Sequence, residues 1–397
     1  MKRSTAAVAA ELAALAEHAQ KRVRRSVEGF ASAGSILAPM VDGRPLVNFS
    51  SNDYLGLAAE PRVVAALQAG AARWGAGAGA AHLVSGHTAE HQRLEEELAE
   101  FTGREAALLF STGYMANVGV VTALAGRGEV VLQDRLNHAS LLDGARQSDA
   151  RLLRYRHADA GDAARLAAGH GAQLAMIATD GVFSMDGDVA PLRALAQAAK
   201  RHDAWLLVDD AHGFGVLGAT GGGALQAAGL TADEAPLLVG TLGKAAGSFG
   251  AFVAGDRDVI DLVLQRARSY IYTTAMPPAV AAATRASLRL LREEGWRREQ
   301  LAARIAQFRA GAAQRGLALM ASATAIQPIL VPGAARCLAA SAALRERGFW
   351  VGAIRHPTVP AGTERLRVTL SAGHEAGQVE ALLDALGACL PATEGAA

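Results

Sequence analysis

One lysine stands alone among small residues in the stretch PLLVGTLGKAAGSFGAFVAG, Pro236 to Gly255. It is Lys244, flanked by Gly243, Ala245, Ala246, Gly247, Ser248 and Gly250. Such surroundings leave room for a bulky group on the amine and offer few countercharges. Partial desolvation lowers an ammonium pKa, and the neutral amine can form a Schiff base. A Walker phosphate loop is excluded, because its first glycine position holds Leu238 and its Ser/Thr position holds Ala245. Upstream, Asp209, Asp210 and His212 follow the apolar run Trp205 to Val208. A lysine, an acid for a pyridine nitrogen, a phosphate cradle and a substrate-orienting cation are what pyridoxal phosphate asks of a protein. The acid keeps the pyridinium protonated, which deepens the electron sink for a carbanion. Asp209 suits that role, His212 can reach the ring's phenolic oxygen, and His138 can stack on the cofactor's face. The competing reading of Asp209-Asp210 is a turn or a helix N-cap.

These residues need a frame, and the chain repeats one. Apolar runs at Ala107 to Phe110, Glu129 to Gln133, Leu174 to Thr179, Trp205 to Val208 and Leu237 to Gly240 each lead into a polar turn. The turns carry Ser111 to Tyr114, Asn137-His138, Asp180 to Gly187, Asp209 to Gly213, and Thr241 to Lys244. Strands alternating with helices predict an α/β fold with a mainly parallel sheet, and ligands bind at the strand ends of such sheets. The helix expected from Met115 gives backbone amides for a phosphate. We expect an N-terminal helix and strand segment over 1–50, a large cofactor domain over 51–288, and a smaller C-terminal α/β domain over 289–397. Strands are expected there at Ile326 to Val331, Trp350 to Ile354 and Leu366 to Leu370. A helix from Glu11 to about Val27 ends in Lys21, Arg22, Arg24 and Arg25, either a solvated helix end or a greeting for an anionic substrate.

Composition narrows the classes. The 397 residues are 51% hydrophobic and 19% charged, which fits a globular chain with ample core. A net charge of +1 gives no global field for nucleic acid. Cys337 and Cys389 lack metal spacing and suggest no disulfide framework, so a reducing cytoplasm is expected. Glu11 interrupts any signal-peptide core, and Ser111, Thr112, Gly113 and Asn117 break the uncharged run Ala106 to Gly126, so no membrane span is expected. Gly75 to Gly86 is glycine-rich, but a helical pattern precedes it rather than the strand a dinucleotide fingerprint needs. His87-Thr88-Ala89-Glu90-His91 fits the HxxEH pattern of inverted zinc peptidases and supplies the rival reading; otherwise no metal is expected.

TLGKA at 241–245, VDDAHGFGVLG at 208–218, FSMDGD at 183–188, SNDYLGL at 51–57 and PTVPAGTERLR at 357–367 together resemble the α-oxoamine synthases. These are homodimeric fold-type I pyridoxal-phosphate enzymes that condense an amino acid with an acyl thioester and lose carbon dioxide. The resemblance implies that Lys244 is the Schiff-base lysine, Asp209 the pyridine-nitrogen partner, His212 the phenolic-oxygen ligand and His138 the stacking histidine. It further implies cofactor contacts at Gly113, Tyr114, Ser184 and Thr241. Asn52 and Arg367 would hold the amino-acid carboxylate. Thr273 or Thr274 would reach the neighbouring subunit's phosphate, in shared active sites. HLVSGH at 82–87 and AIRHPTVPAGT at 353–363 look most like the branch joining L-alanine to a pimeloyl thioester, on coenzyme A or acyl carrier protein, for biotin synthesis. Arg355, Thr358 and Arg24 match acyl-substrate positions of that branch. Other branches pair glycine or serine with different thioesters. Two departures stand out: Ala80-Ala81-His82 replaces a Gly-Ser turn, and Asp180 replaces a glutamate.

Overall fold

The five apolar runs that precede polar turns become strands of one sheet in a computed structural model, which describes residues 4–32 and 34–390. The strands are β1 (Ala106–Phe110), β2 (Val130–Asp134), β3 (Arg151–Tyr155), β4 (Leu174–Asp180), β5 (Trp205–Asp209), β6 (Leu237–Thr241) and β7 (Ala251–Gly255). They lie in the order β1-β7-β6-β5-β4-β2-β3. From β6 through β3 every neighbour is parallel, whereas β7 is antiparallel to both β6 and β1.

Two of these strands lie outside the expected set. In β3, RLLRY, Arg151 and Arg154 are exposed and the strand pairs only with β2, so a charged edge masks its strand character. In β7, AFVAG, all residues are buried, but the run is continuous in composition with the small-residue turn before it. The helix Gly113–Leu124 is apolar nearly all round and packs Val120 and Val121 into a core with Leu108, Val131, Met176, Leu207, Val239 and Val253.

Because β2, β4, β5 and β6 run the same way, their carboxyl ends line one edge of the sheet. Asp134, Asp180, Asp209 and Thr241 are the terminal residues there, and the register sets Asp180 opposite Asp209.

By its internal contacts the chain separates into two units. One comprises Leu55–Ser184 and Asp188–Arg298 and holds this sheet; the other comprises the described residues of Met1–Tyr54, Met185–Gly187 and Glu299–Ala397. The second unit contains an antiparallel sheet of β8 (Ile326–Leu330), β9 (Gly352–Ile354) and β10 (Arg365–Thr369), in the order β8-β10-β9. The run expected at 350–354 is divided: Phe349–Trp350 pairs in parallel with Val47–Asn48, and β9 joins β10.

The N-terminal helix is Thr5–Glu17, capped by Ser4, and stops well before Val27. Ala19 follows with a positive φ of 55°, and residues 20–28 belong to neither helix nor strand. Arg355 holds it there, Nε donating to Ala19 O at 2.5 Å and Nη2 to Lys21 O at 2.9 Å. The basic residues 21–25 therefore lie along an irregular strap rather than on a helix end. Among the described residues no helix is long and apolar enough to cross a membrane.

Candidate active site

Lys244 sits in the connection between β6 and β7, whose ends are tied by pairing of Thr241 with Ala251. The loop is cross-linked internally: Leu242 N–H donates to Gly250 O at 2.9 Å, Ser248 N–H to Leu242 O at 2.8 Å, and Gly247 N–H to Lys244 O at 2.8 Å. Ala245 and Ala246 are buried, and Ser287 Oγ donates to Ala246 O at 2.5 Å. Gly247 has φ +60°, and a Cβ there would lie 2.4 Å from Ala58 N and Leu57 C, so only glycine closes this turn. The amine emerges against His212, with Nζ 2.8 Å from Nε2.

The adjacent aspartates divide the two roles left open by the sequence. Asp210 caps: its Oδ2 accepts the N–H of Ala224 at 2.7 Å, and burial pushes its carboxyl up to about 8. Asp209, at the end of β5, accepts Asn117 Nδ2 at 2.5 Å on Oδ2 and the N–H of Ala211 at 3.0 Å on Oδ1. Asn117 Nδ2 also donates to Ser140 Oγ at 2.9 Å, and Ser140 Oγ lies 2.7 Å from His138 Nδ1. A chain of contacts thus joins Asp209 to His138 through Asn117 and Ser140. Asp180, opposite Asp209, accepts the N–H of His138 at 2.7 Å. Burial, and then the charge of Asp209, raise the Asp180 carboxyl well above the ordinary range. The shorter side chain that replaces the common glutamate still reaches the His138 backbone.

Asn117 escaped the sequence reading of the site. Its only signal is a polar amide within the apolar helix GYMANVGVVTAL, and that amide is buried. Thr112 caps the same helix at its Gly113 end, accepting the N–H of Met115. Tyr114 is partly exposed and donates its OH to Asp143 at 2.7 Å. Thr241 Oγ1 donates to Gly250 O at 3.2 Å, and Ser184 follows β4. Thr273 and Thr274 lie in the segment after the short helix Arg268–Ile271, where Ala275 N–H is tied to Ala80 O.

These residues fit pyridoxal phosphate. A lysine amine and a buried carboxylate come from neighbouring parallel strand ends, and a capped twelve-residue helix begins at Gly113. The Oδ1 of Asn117 is buried with no partner among the described residues, beside the carboxylate it orients.

In the second unit, Arg367 and Asn52 meet: both terminal guanidinium nitrogens lie 3.3 Å from Asn52 Oδ1. Tyr54 OH donates to the same oxygen at 3.3 Å; burial pushes its hydroxyl up to about 12 despite Arg367. Arg355 and Thr358 line a cavity of about 630 Å³ together with Lys21, Arg22, Arg25, Arg345 and His356. Arg24 is exposed and is not among the lining residues, so its neighbours on the strap supply the positive charge there.

The zinc-peptidase reading is corrected. Glu90, its would-be base, accepts from Arg285 Nη1 at 2.7 Å and lies 3.5 Å from Arg93. His91 is occupied at both nitrogens, Nδ1 by the N–H of Thr88 and Nε2 by Met276 O. Thr88 is the N-cap, which leaves His87 before the helix rather than on a shared face with His91.

The family model for aminotransferase class I and II matches residues 44–386. The chain is 63% identical over 350 residues to 8-amino-7-oxononanoate synthase of Stutzerimonas stutzeri (strain A1501), covering 88% of this chain and 89% of that one. Among solved structures, Sphingomonas wittichii serine palmitoyltransferase matches with a TM-score of 0.91 at 31% identity, over 97% of this chain and 96% of the other. An 8-amino-7-oxononanoate synthase from Francisella tularensis matches with a TM-score of 0.76 at 30% identity, over 86% of this chain and 97% of the other.

Proposed function

The chain belongs to the class I and II aminotransferase family, among the 8-amino-7-oxononanoate synthases, and we propose from that premise that it joins L-alanine to a pimeloyl thioester. The products are 8-amino-7-oxononanoate, carbon dioxide and the free thiol, a step of biotin synthesis. The observation that carries the reading is the grouping of Lys244, His212 and Asp209 at the sheet edge, with Nζ 2.8 Å from the imidazole.

Pyridoxal 5′-phosphate, when bound, supplies an aldehyde for the amine and a protonated ring that draws electron density from the substrate's α-carbon. Lys244 would hold its aldehyde carbon, Asp209 would face the ring nitrogen and His212 the phenolic oxygen. His138 would cover the ring, while the helix start at Gly113, with Tyr114, Ser184 and Thr241, would receive its remaining polar groups. Asn117 and Ala211 orient the Asp209 carboxylate, so that it need not reorganise as charge develops. Lys244, once released, takes the α-proton of alanine at Nζ.

For the alanine carboxylate we propose Arg367 with Asn52, a guanidinium fork suited to two oxygens. For the acyl thioester we propose Arg355, Thr358 and a strap cation, with Arg24 joined by Lys21, Arg22 and Arg25 as candidates. A homodimer is proposed, in which Thr273 or Thr274 reaches the partner's cofactor phosphate.

The test is Lys244→Ala. The absorbance band that comes from the lysine-linked cofactor and the turnover should both vanish, and a fully active variant overturns the reading. A substrate panel of alanine, glycine and serine against several acyl thioesters tests the branch. A better rate with glycine and a short thioester would keep the fold and overturn the substrate assignment.

A further inference from the structure

Away from the lysine, three imidazoles converge that the sequence pattern only partly announced. His82 opens the π-helical turn His82–Gly86, His87 precedes the N-cap Thr88, and His91 lies in the first turn of the helix Ala89–Thr102. One donor nitrogen from each lies within 4.8 Å of those of the other two. His82 and His91 are buried, and His87 opens toward a cavity of about 440 Å³ lined also by Gln92, Glu95 and Glu96.

The partners of each ring define which nitrogen carries a lone pair. His91 Nε2 faces Met276 O at 2.8 Å, so Nε2 bears the proton and Nδ1 the lone pair. His87 Nε2 faces two acceptors, Gln92 Oε1 at 3.4 Å and Glu95 Oε2 at 3.9 Å, which favours the same tautomer. His82 is held by stacking on Tyr270, with ring centroids 5.1 Å apart and planes 12° from parallel. Its Nδ1 lies 3.0 Å from that of His87, so with the His87 lone pair facing it His82 Nδ1 is the donor, and an ion between the two rings would take the place of that proton. His91 and His87 thus each give the outer N–H to a carbonyl or amide oxygen and turn the other nitrogen inward, as metal-binding imidazoles do, while His82 is fixed by its stack on Tyr270.

We propose that His82, His87 and His91 bind a divalent transition-metal ion of the zinc class. Tetrahedral zinc with bonds of ~2.0–2.1 Å places ligand nitrogens about 3.3 Å apart, close to the 3.0 Å already present between His82 and His87. His91 completes the set by giving up for the ion both Nδ1 contacts that cap its helix, the Thr88 N–H at 3.0 Å and Thr88 Oγ1 at 3.1 Å. An all-imidazole set selects zinc, cobalt, nickel or copper over magnesium or calcium. The fourth position faces the cavity. With Glu90 held by Arg285, the ion has no neighbouring base from the HxxEH pattern, so the site is a binding site and not a peptidase centre.

The experiment uses untagged holoenzyme, stripped of metal with a chelator while retaining its cofactor. Cobalt(II) is titrated with optical detection of tetrahedral ligand-field bands, and zinc with calorimetry. One ion per chain is expected, with zinc displacing cobalt. His87→Ala, at the solvent-facing ligand outside the helix, should weaken binding beyond the ~10–100-fold that loss of an outer-shell partner costs. His82→Gln serves as the second variant, and thermal unfolding checks that both remain folded. No stoichiometric binding, or binding that survives both substitutions unchanged, overturns the proposal.

Discussion

Replacing His157 with glutamine tests how the sheet edge is held. Its ring bridges two carboxylates, Nδ1 3.0 Å from Asp134 Oδ1 and Nε2 3.0 Å from Asp188 Oδ2. Burial alone would lower its pKa, but both hydrogen bonds and both charges outweigh burial and hold it at about 10. The folded value lies above the ordinary 6.5, so this stabilisation is complete below about pH 6.5 and is lost as pH climbs through about 10. At ~1.36 kcal/mol per pH unit the ceiling is about 5 kcal/mol. The ring is 27% exposed. Solvent screening therefore reduces the figure to about 2–3 kcal/mol. Urea midpoints of the cofactor-loaded protein, compared for wild type and His157→Gln at about pH 6 and about pH 10.5, read this directly. The gap should be about 2–3 kcal/mol at the lower pH and under about 1 kcal/mol at the higher. A gap of the same size at both refutes the bridged imidazolium.

Asn117→Leu removes a donor from Asp209 and from Ser140 and should lower kcat by about 10–100-fold, the value of a hydrogen bond to a charged group, and lower the unfolding midpoint as well. Arg367→Lys keeps the charge but loses the fork, so KM for alanine should rise by about tenfold or more, while KM for the thioester stays within about twofold. Gly247→Ala meets both a positive φ and a backbone clash at 2.4 Å. It should cost about 2 kcal/mol or more, read as a lowered urea midpoint together with loss of cofactor absorbance.

What could be read in advance follows from how local each determinant is. Strands β1, β2, β4, β5 and β6 are short apolar runs closed by polar turns, so their existence and the residues at their ends were legible. β3 and β7 were not: one hides behind exposed arginines, and the other behind small residues that also suit a turn. Asp209 is legible as the acid after its strand, but that Asp210 turns away to bind the Ala224 amide depends on a residue fourteen positions beyond it. No local pattern carries that contact. His82 joins His87 and His91 only because a π-helical turn folds it back, whereas the spacing motif points to Glu90 instead. The expected N-terminal helix runs too far because apolar and basic residues continue its pattern past Ala19, where Arg355 holds the chain outside any helix.

β7 gives the lysine an unusual kind of anchorage. The returning strand enters between β6 and β1, inside the sheet rather than along its margin. Lifting the amine out of register would require two ladders to unzip together. Amide protons along β7, paired on both sides, should then exchange with solvent only through global opening, and heat inactivation should coincide with melting of the whole sheet.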